Sequence, residues 1–497
     1  MRILLDTNII IPLEDSSSAL EASFGEFVRL AGENQHQLLA HPGSIEDINR
    51  DENSTRREIS LSRFNKYSLL EDPPVLEDTF ATEYQLTKST ENDRVDNEIL
   101  FAIFKDAANI LVSEDRKLHA KAARLGIKDR VFYLQQAVEF LRKLHQKVPV
   151  ALPNIQELPL YQIDLDDSFF DSLREDYHDE FNGWFKKSAR EGRRAWVYKA
   201  MSGQLGAICI FNIEKNPIVT NDNRSIPGKV LKLCTFKVGE TVRGRRIGEL
   251  FLKAAFRYAT DNDLEHIYLH TRSGKQDFLI DFCKDFGFYL LGTYKADDVY
   301  VKDHPIHPPE EALDALSYLK KYYPNFRGGM GVGKYIVPIR PEYYKVLFPD
   351  NERQISLFQL EGNVVGNAIR QAYLCHARLG GISPGDILLF YRSHDWQAIA
   401  SVGVVEQVGD YKNIDKIMQL VAKRTVYSLD EIKEMASKQT KVILFRIAQH
   451  LSEPITFDWL KKHRVVNGNI QTIRNISNES FNKIAKERSI AHCFYAD

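Results

Sequence analysis

Four aspartates stand where apolar sequence gives way to polar sequence: Asp6 after Arg2-Ile3-Leu4-Leu5, Asp47 within HPGSIEDI, Asp96 within DRVDNEIL, and Asp115 after Ile110 to Val112. A carboxylate at the end of a buried strand is costly unless it binds something. Gathered at one edge of a parallel sheet, four of them would repel one another. Two Mg2+ or Mn2+ ions would relieve that repulsion, activate water and steady the leaving oxygen of a phosphodiester. Glu46, beside Asp47, could serve in its place. A second stretch, Val230 to Asn262, offers different chemistry: a strand-like run to Val238, a turn carrying Gly239, Arg243, Gly244, Arg245, Arg246 and Gly248, then a helix. Such a turn presents unpaired N–H groups, the positive end of a helix dipole and cationic donors together, which suits a pyrophosphate.

The elements that must position these groups follow from periodicity. Ile247, Leu250, Phe251, Ala254, Ala255 and Tyr258 recur at steps of three and four, so one stripe of that helix faces a core. Short apolar runs at Leu4, Ile110, Ala195 to Tyr198, Leu205 to Ile213 and His266 to His270 read as strands, and Asp171 to Arg190 as an amphipathic helix. A chain of 497 residues exceeds one ordinary core, and about three domains are expected. Hydrophobic content of 43% and charged content of 27% are those of a globular protein. No apolar run reaches the roughly 18 residues of a membrane helix, and MRILLDTN lacks the pattern of a signal peptide. A cytoplasmic protein with no membrane partner is expected. Five scattered cysteines without a CxxC argue against both a disulfide framework and a structural zinc site. Residues 1–150 carry 19 Lys+Arg and 25 Asp+Glu, or −6; residues 151–333 carry 25 and 26, or −1; residues 334–497 carry 22 and 17, or +5. The basic tail is the better suited to a polyanion.

The first 148 residues resemble the PIN-domain family of metal-dependent ribonucleases, through Asp6-Thr7-Asn8, Asp47-Ile48, the D-x-x-I at Asp96 to Ile99, and Ser113-Glu114-Asp115. The resemblance implies an α/β parallel sheet with Asp6, Asp47, Asp96 and Asp115 as metal ligands and catalytic acids in RNA cleavage. Residues 155–303 resemble the GNAT acetyltransferases through Arg243-Gly244-Arg245-Arg246-Ile247-Gly248 and the helix end Asp285-Phe286-Gly287-Phe288, with Arg246 where the family usually has glycine. This implies an α+β fold that binds acetyl-CoA at Phe236, Val238, Arg243, Gly244, Arg245, Arg246, Ile247 and Gly248. His270 and Glu240 are candidate bases for the acetyl acceptor. Cys283, where the family often has tyrosine, reads as a small core residue ahead of a proton donor.

Residues 304–333, with HPIHPP and GGMGVG, form a linker. From 334 to 497 an apolar helix leading into Pro384-Gly385-Asp386 and the strands around it resemble the ASCH and EVE branches of the PUA-like superfamily, which implies a mostly-β barrel that reads RNA. Tyr391, Arg392 and Trp396 are its candidate stacking and cationic contacts. The expectation is a metal-dependent ribonuclease of toxin or stress-response type, with RNA, tRNA among the candidates, acetyl-CoA and an antitoxin or regulatory protein as partners. The alternative is an N-acetyltransferase acting on an amine of RNA, aminoacyl-tRNA or protein, with the PIN-like part as a binding platform.

Overall fold

The computed structural model describes residues 1–10, 18–86, 90–145, 155–177, 180–199, 203–239, 242, 247–272, 277–307, 309–348, 369–377, 380–424 and 427–487. The chain divides into two compact units, Met1–Val148 with Tyr411–Lys438, and Pro149–Asp410 with Gln439–Asp497. Among the described residues no helix is long and apolar enough to cross a membrane.

The first unit is built on five parallel strands, β1 (Arg2–Leu5), β2 (Gln37–Ala40), β3 (Ser68–Leu69), β4 (Ile110–Val112) and β5 (Val131–Phe132), in the order β3-β2-β1-β4-β5. Burial on both faces explains why Ile3 to Leu5 of β1 and all of β4 are apolar. The order reverses beside β1, so the ends of β1 and β4 border the crevice where such sheets hold ligands. Helices α1 (Gly43–Asn49), α2 (Glu91–Phe104) and α3 (Arg116–Arg124) bring the acidic stretches toward it. The core joins Leu4, Leu39 and Leu111 to Val95, Ile99 and Leu118.

The expected contiguous third domain at 334–497 is interrupted. Its residues 411–438 belong to the first unit. Helices Ile414–Val421 and Leu429–Ala436, the second opened by a Ser428–Glu431 capping box, pack there. Lys423 donates to the carbonyls of Lys128 and Val131 and lies 4.9 Å from the Phe132 ring, while Arg424 pairs with Asp129. Lys423→Met leaves two carbonyls without a charged donor, and a loss of about 1–2 kcal/mol is expected. Limited proteolysis should then cut within 411–438 faster than in wild type; an unchanged cleavage rate would mean that this lysine is not what fastens the segment.

The second unit opens with a seven-stranded sheet, β6 (Ile155–Pro159), β7 (Arg194–Lys199), β8 (Leu205–Lys215), β9 (Lys229–Val238), β10 (His266–Thr271), β11 (Tyr289–Tyr294) and β12 (Asp297–Asp303), in the order β11-β12-β10-β9-β8-β7-β6. Only β9 and β10 run parallel. Helices α4 (Asp171–Tyr177) and α5 (Glu180–Arg190), read from sequence as one helix, pack around Phe170, Ile208 and Ile210. Helices α6 (Ile247–Asp261) and α7 (Asp277–Lys284) pack with Leu231, Leu233, Ile267 and Leu269.

A six-stranded mixed sheet completes this unit: β13 (Lys334–Ile339), β14 (Arg370–Cys375), β15 (Ile387–Arg392), β16 (Ala398–Tyr411), β17 (Thr440–Thr456) and β18 (Arg474–Asn475), ordered β14-β17-β16-β15-β13-β18. The apolar helix expected before Pro384 is instead the edge strand β14, which pairs with β17 from Arg370↔Arg446 to Cys375↔Lys441 and buries Gln371, Ala372 and Leu374. The Tyr373 hydroxyl on β14 reaches the Pro338 carbonyl on β13, so the sheet curls. Among the described strands no pairing closes it into the expected barrel. One apolar cluster runs from Phe251 and Phe286 through Tyr323 to Ile369, Ile387 and Leu389, so the two sheets of this unit share a core.

Candidate active site

Strands β9 and β10 pair only from Val230↔His266 to Leu233↔Leu269. At the next residue, Cys234, β9 carries a bulge, since Leu233 opposes Phe211 and Thr235 opposes Ile210 on β8. A bulge bends and twists the strand that holds it. From there β9 continues to Val238 paired with β8 alone, leaving a wedge toward β10 whose inner edge is a strand without a strand neighbour. Such an edge accepts an extended ligand that carries amides of its own. Phe236 floors the wedge edge-on to Phe251 and Phe282, at centroid distances of 5.6 and 6.5 Å. Gly239 turns the chain where a Cβ would stand 2.8 Å from the Gly206 carbonyl oxygen, which no side chain tolerates.

Helix α6 starts at Ile247, and its first-turn N–H groups have no acceptor within the helix. Gly248 lies against Phe282, but a Cβ there would make ordinary contact at 3.4 Å, so packing does not demand its glycine. Arg243, Gly244, Arg245, Arg246 and the candidate base Glu240 lie outside the described residues. The parts that are described, a free strand edge beside the start of a fifteen-residue helix, fit an elongated ligand with amides at one end and a pyrophosphate at the other. Phe236, Val238, Ile247 and Gly248 are the described residues that would hold it.

The other side of the wedge is β10. Ile267 and Leu269 face α6 and α7, whereas Tyr268 joins the opposite face with Val230, Val299 and Val301, and alternation places His270 on that face. His270 is the first residue beyond the last β9–β10 pair. Its Nε2 is buried and has no hydrogen-bond partner among the described residues. Burial, aided by Lys232 and opposed by Asp297 and Glu214, lowers its pKa to about 4, so the ring is neutral at pH 7. Tyr268 donates its hydroxyl to Glu214, and Lys232 stands 3.4 Å from the same carboxylate. The rings of Tyr268 and Tyr294 lie 5.7 and 5.5 Å from the imidazole. Cys283 is fully buried in the core, where burial raises its thiol pKa, so it is a packing residue.

The four acids of the first unit are not all brought together. Asp6 is buried at the end of β1 and accepts from the Thr7 amide at 2.7 Å, the Asn8 side chain at 2.8 Å and the Ser113 hydroxyl at 2.6 Å. Burial raises its pKa to about 7; the Ser113 bond opposes this, and Asp96 and Asp115 add to it. Asp96 is likewise raised to about 6, chiefly by burial, against the pull of Lys121. The Lys121 ammonium, itself buried, sits 2.9 Å from Asp93 and 3.5 Å from Asp96. Asp115 caps α3, accepting from the Lys117 and Leu118 amides. Asp47 belongs elsewhere: it pairs with Arg50 on its own helix face, while Glu46 pairs with Arg94.

Among the described residues no group of three or more His, Cys, Asp or Glu is arranged to hold a metal ion. The expected Mg2+ or Mn2+ centre is therefore corrected. An internal ammonium already neutralises Asp96, a helix cap engages Asp115 and an arginine holds Asp47. The residues as arranged do not fit a two-ion site.

Of the three residues expected to read RNA, Tyr391 and Arg392 lie in β15. Tyr391 and Arg392 are buried, at 5% and 3% exposure. The Arg392 guanidinium lies 4.2 Å from the Trp396 ring and 5.3 Å from that of Tyr344, and it chelates Asp395. Cation and aromatics are thus engaged with one another.

Residues 158–288 match the model of the Acetyltransferase (GNAT) family. No curated protein matches the chain. Among solved structures, ASCH from Zymomonas mobilis is 12% identical, covering 33% of this chain and 98% of that one at a TM-score of 0.25. Naa20 from Chaetomium thermophilum, solved with a bisubstrate analogue, is 16% identical, covering 30% and 84% at 0.24. A GNAT-family acetyltransferase from Listeria monocytogenes is 14% identical, covering 22% and 63% at 0.17. The chain carries a GNAT acetyltransferase domain at residues 158–288, preceded by a parallel-sheet α/β region and followed by a β-rich one.

Proposed function

We propose that the protein is an N-acetyltransferase that takes its acyl group from acetyl-CoA, with the α/β region of the first unit as a platform for an acceptor on RNA, aminoacyl-tRNA or protein. The observation that carries this reading is the departure of β9 from β10 after Leu233, beside the start of α6. The unpaired edge of Cys234 to Val238 orients an amide-bearing arm, and the open turn of α6 receives the pyrophosphate. Bound acetyl-CoA supplies an activated thioester; the protein's share is to align it with an amine, and alignment alone is worth several kcal/mol of barrier. Calorimetry on the full chain with acetyl-CoA tests the reading. Binding in the micromolar range is expected, and at a hundredfold excess over Kd it should stabilise the protein by about 2.7 kcal/mol. Absence of both heat and thermal shift would reject it.

A second reading, a ribonuclease centred on Asp6, has one observation in its favour: Asp96 and Asp115 lie close enough to add to the raised pKa of Asp6. Cleavage of total RNA by wild type but not by Asp6→Asn would support it. Equal cleavage by both would remove it.

A further inference from the structure

We infer that the C-terminal sheet is part of the acetyl-CoA site: the Ile369 amide holds the Glu249 carboxylate away from the amides that open α6, and Glu249 is thereby a positioning residue for the pyrophosphate. This rests on the acetyltransferase reading above. Glu249 is the third residue of α6. A glutamate at that position ordinarily turns back to the free N–H groups of its own helix start, where the dipole favours an anion. There it would occupy the donors that a pyrophosphate needs and repel its charge. Glu249 is instead drawn inward. It is 6% exposed, and its Oε2 accepts from the Ile369 amide at 2.6 Å, a bond between residues 120 apart in the chain. Ile369 is wholly buried, so release of the carboxylate would strand its N–H in the core.

The same edge of the sheet fixes the other flank of the wedge. Arg370, next to Ile369 and the first residue of β14, lies 3.2 Å from the Asp285 carboxylate at the end of α7. Two consecutive residues therefore clip α6 and α7, whose Phe251 and Phe282 meet Phe236 on the wedge floor. Strand β14 carries the hold into the sheet, since it pairs with β17 from Arg370↔Arg446 onward. Linkage makes the effect reciprocal: acetyl-CoA favours the arrangement in which Ile369 keeps Glu249, and a shift of Ile369 changes the affinity for acetyl-CoA.

The test uses the full chain and two ligands. Acetyl-CoA carries the pyrophosphate; S-acetylpantetheine keeps the amide arm and the thioester but lacks it. Glu249→Asp shortens the side chain, so its carboxylate no longer reaches Ile369 and stays beside the α6 amides. Calorimetry should show the acetyl-CoA Kd of Glu249→Asp raised about 10-fold, while ligand-observed NMR finds its S-acetylpantetheine Kd within about twofold of wild type. Glu249→Gln should recover acetyl-CoA binding, because its amide oxygen still accepts from Ile369. A Glu249→Asp protein that binds acetyl-CoA as wild type does overturns the inference. So does an equal loss for both ligands, which a general loosening of α6 would produce, and so does a Glu249→Gln protein as weak as Glu249→Asp. Failure of wild type to bind acetyl-CoA removes instead the reading on which the inference rests.

Discussion

Replacing Arg446 by methionine should lower the stability of the second unit by about 3–5 kcal/mol, the cost of breaking one partner out of a buried ionic network. Arg446 is wholly buried. Its Nε donates to Glu406 at 2.6 Å, its guanidinium donates to the Asp285 carbonyl at 3.0 Å, and its Cζ lies 5.3 Å from the Phe286 ring and 5.9 Å from that of Tyr323. Arg370 completes the network, 3.2 Å from both Glu406 and Asp285. Methionine would fill most of the volume and keep contact with the rings, so the loss measures the charge left behind on Glu406 more than a cavity. A double variant, Arg446→Met with Glu406→Gln, should recover part of it, since the stranded carboxylate is then gone. Urea unfolding of the full chain, with the second unit's transition followed by tryptophan emission, checks both numbers. A loss below about 1 kcal/mol would show that the apolar cluster, not the ionic network, holds the end of α7 against β14 and β17.

The same contacts show why the second unit is more than a linked pair of domains. Asp285, Phe286 and Gly287 end α7, and that end is where the C-terminal sheet takes hold. Gly287 has φ of +87°, and a Cβ there would stand 2.1 Å from the Lys321 carbonyl oxygen, so glycine is demanded twice over. At the other flank of the wedge, the Glu249 carboxylate in the first turn of α6 accepts from the Ile369 amide at 2.6 Å. Both helices that border the wedge are therefore fastened to one sheet, at Ile369, Arg370 and Arg446.

Much of this was legible in the sequence where a pattern is local. The stripe from Ile247 to Tyr258 gave α6, and apolar runs bounded by turns gave β8, β9, β10, β15 and β16 within a few residues. Asp6 and Asp115 marked the ends of β1 and β4, while Asp47 and Asp96 lie in helices α1 and α2. What escaped depends on distance along the chain. Gln371-Ala372-Tyr373-Leu374 is as apolar as a buried helix, and only its pairing with Val442 to Arg446 makes it a strand. Lys121 follows Asp96 by a full strand and helix, so nothing in DRVDNEIL announces the ammonium that neutralises it. The bulge at Cys234, which opens the wedge, leaves no mark in LKLCTFKV because extra residues in a strand carry no composition signal. Residues 411–438 read as part of a β-rich domain, yet Lys423 and Arg424 find their partners at Lys128 to Val131, nearly three hundred residues earlier.

The pH dependence of the first unit should flatten when Asp6 becomes asparagine. In the folded protein the Asp6 carboxyl titrates at about 7, against an ordinary value of 3.8. Between those values the folded state holds a proton that the unfolded state has released, so stability declines as pH rises through the window from about 4 to 7. A difference of about three units corresponds to a loss on the order of 4 kcal/mol by pH 8, with the Ser113, Asn8 and Thr7 bonds already included in the folded value. Asparagine carries no charge to desolvate and lacks this slope. It cannot, however, reproduce every bond: its NH2 would meet the Asn8 NH2, a mismatch costing roughly 1 kcal/mol at all pH values. Asp6→Asn should thus match wild type at about pH 4.5, where the two curves cross, and be the more stable protein at pH 8. Asp96 contributes a slope of the same sign to both proteins. Urea midpoints of the first unit's transition over pH 4.5 to 8 decide the matter. Parallel curves would mean that Asp6 stays ionised in the folded protein and that burial at the end of β1 costs its charge nothing.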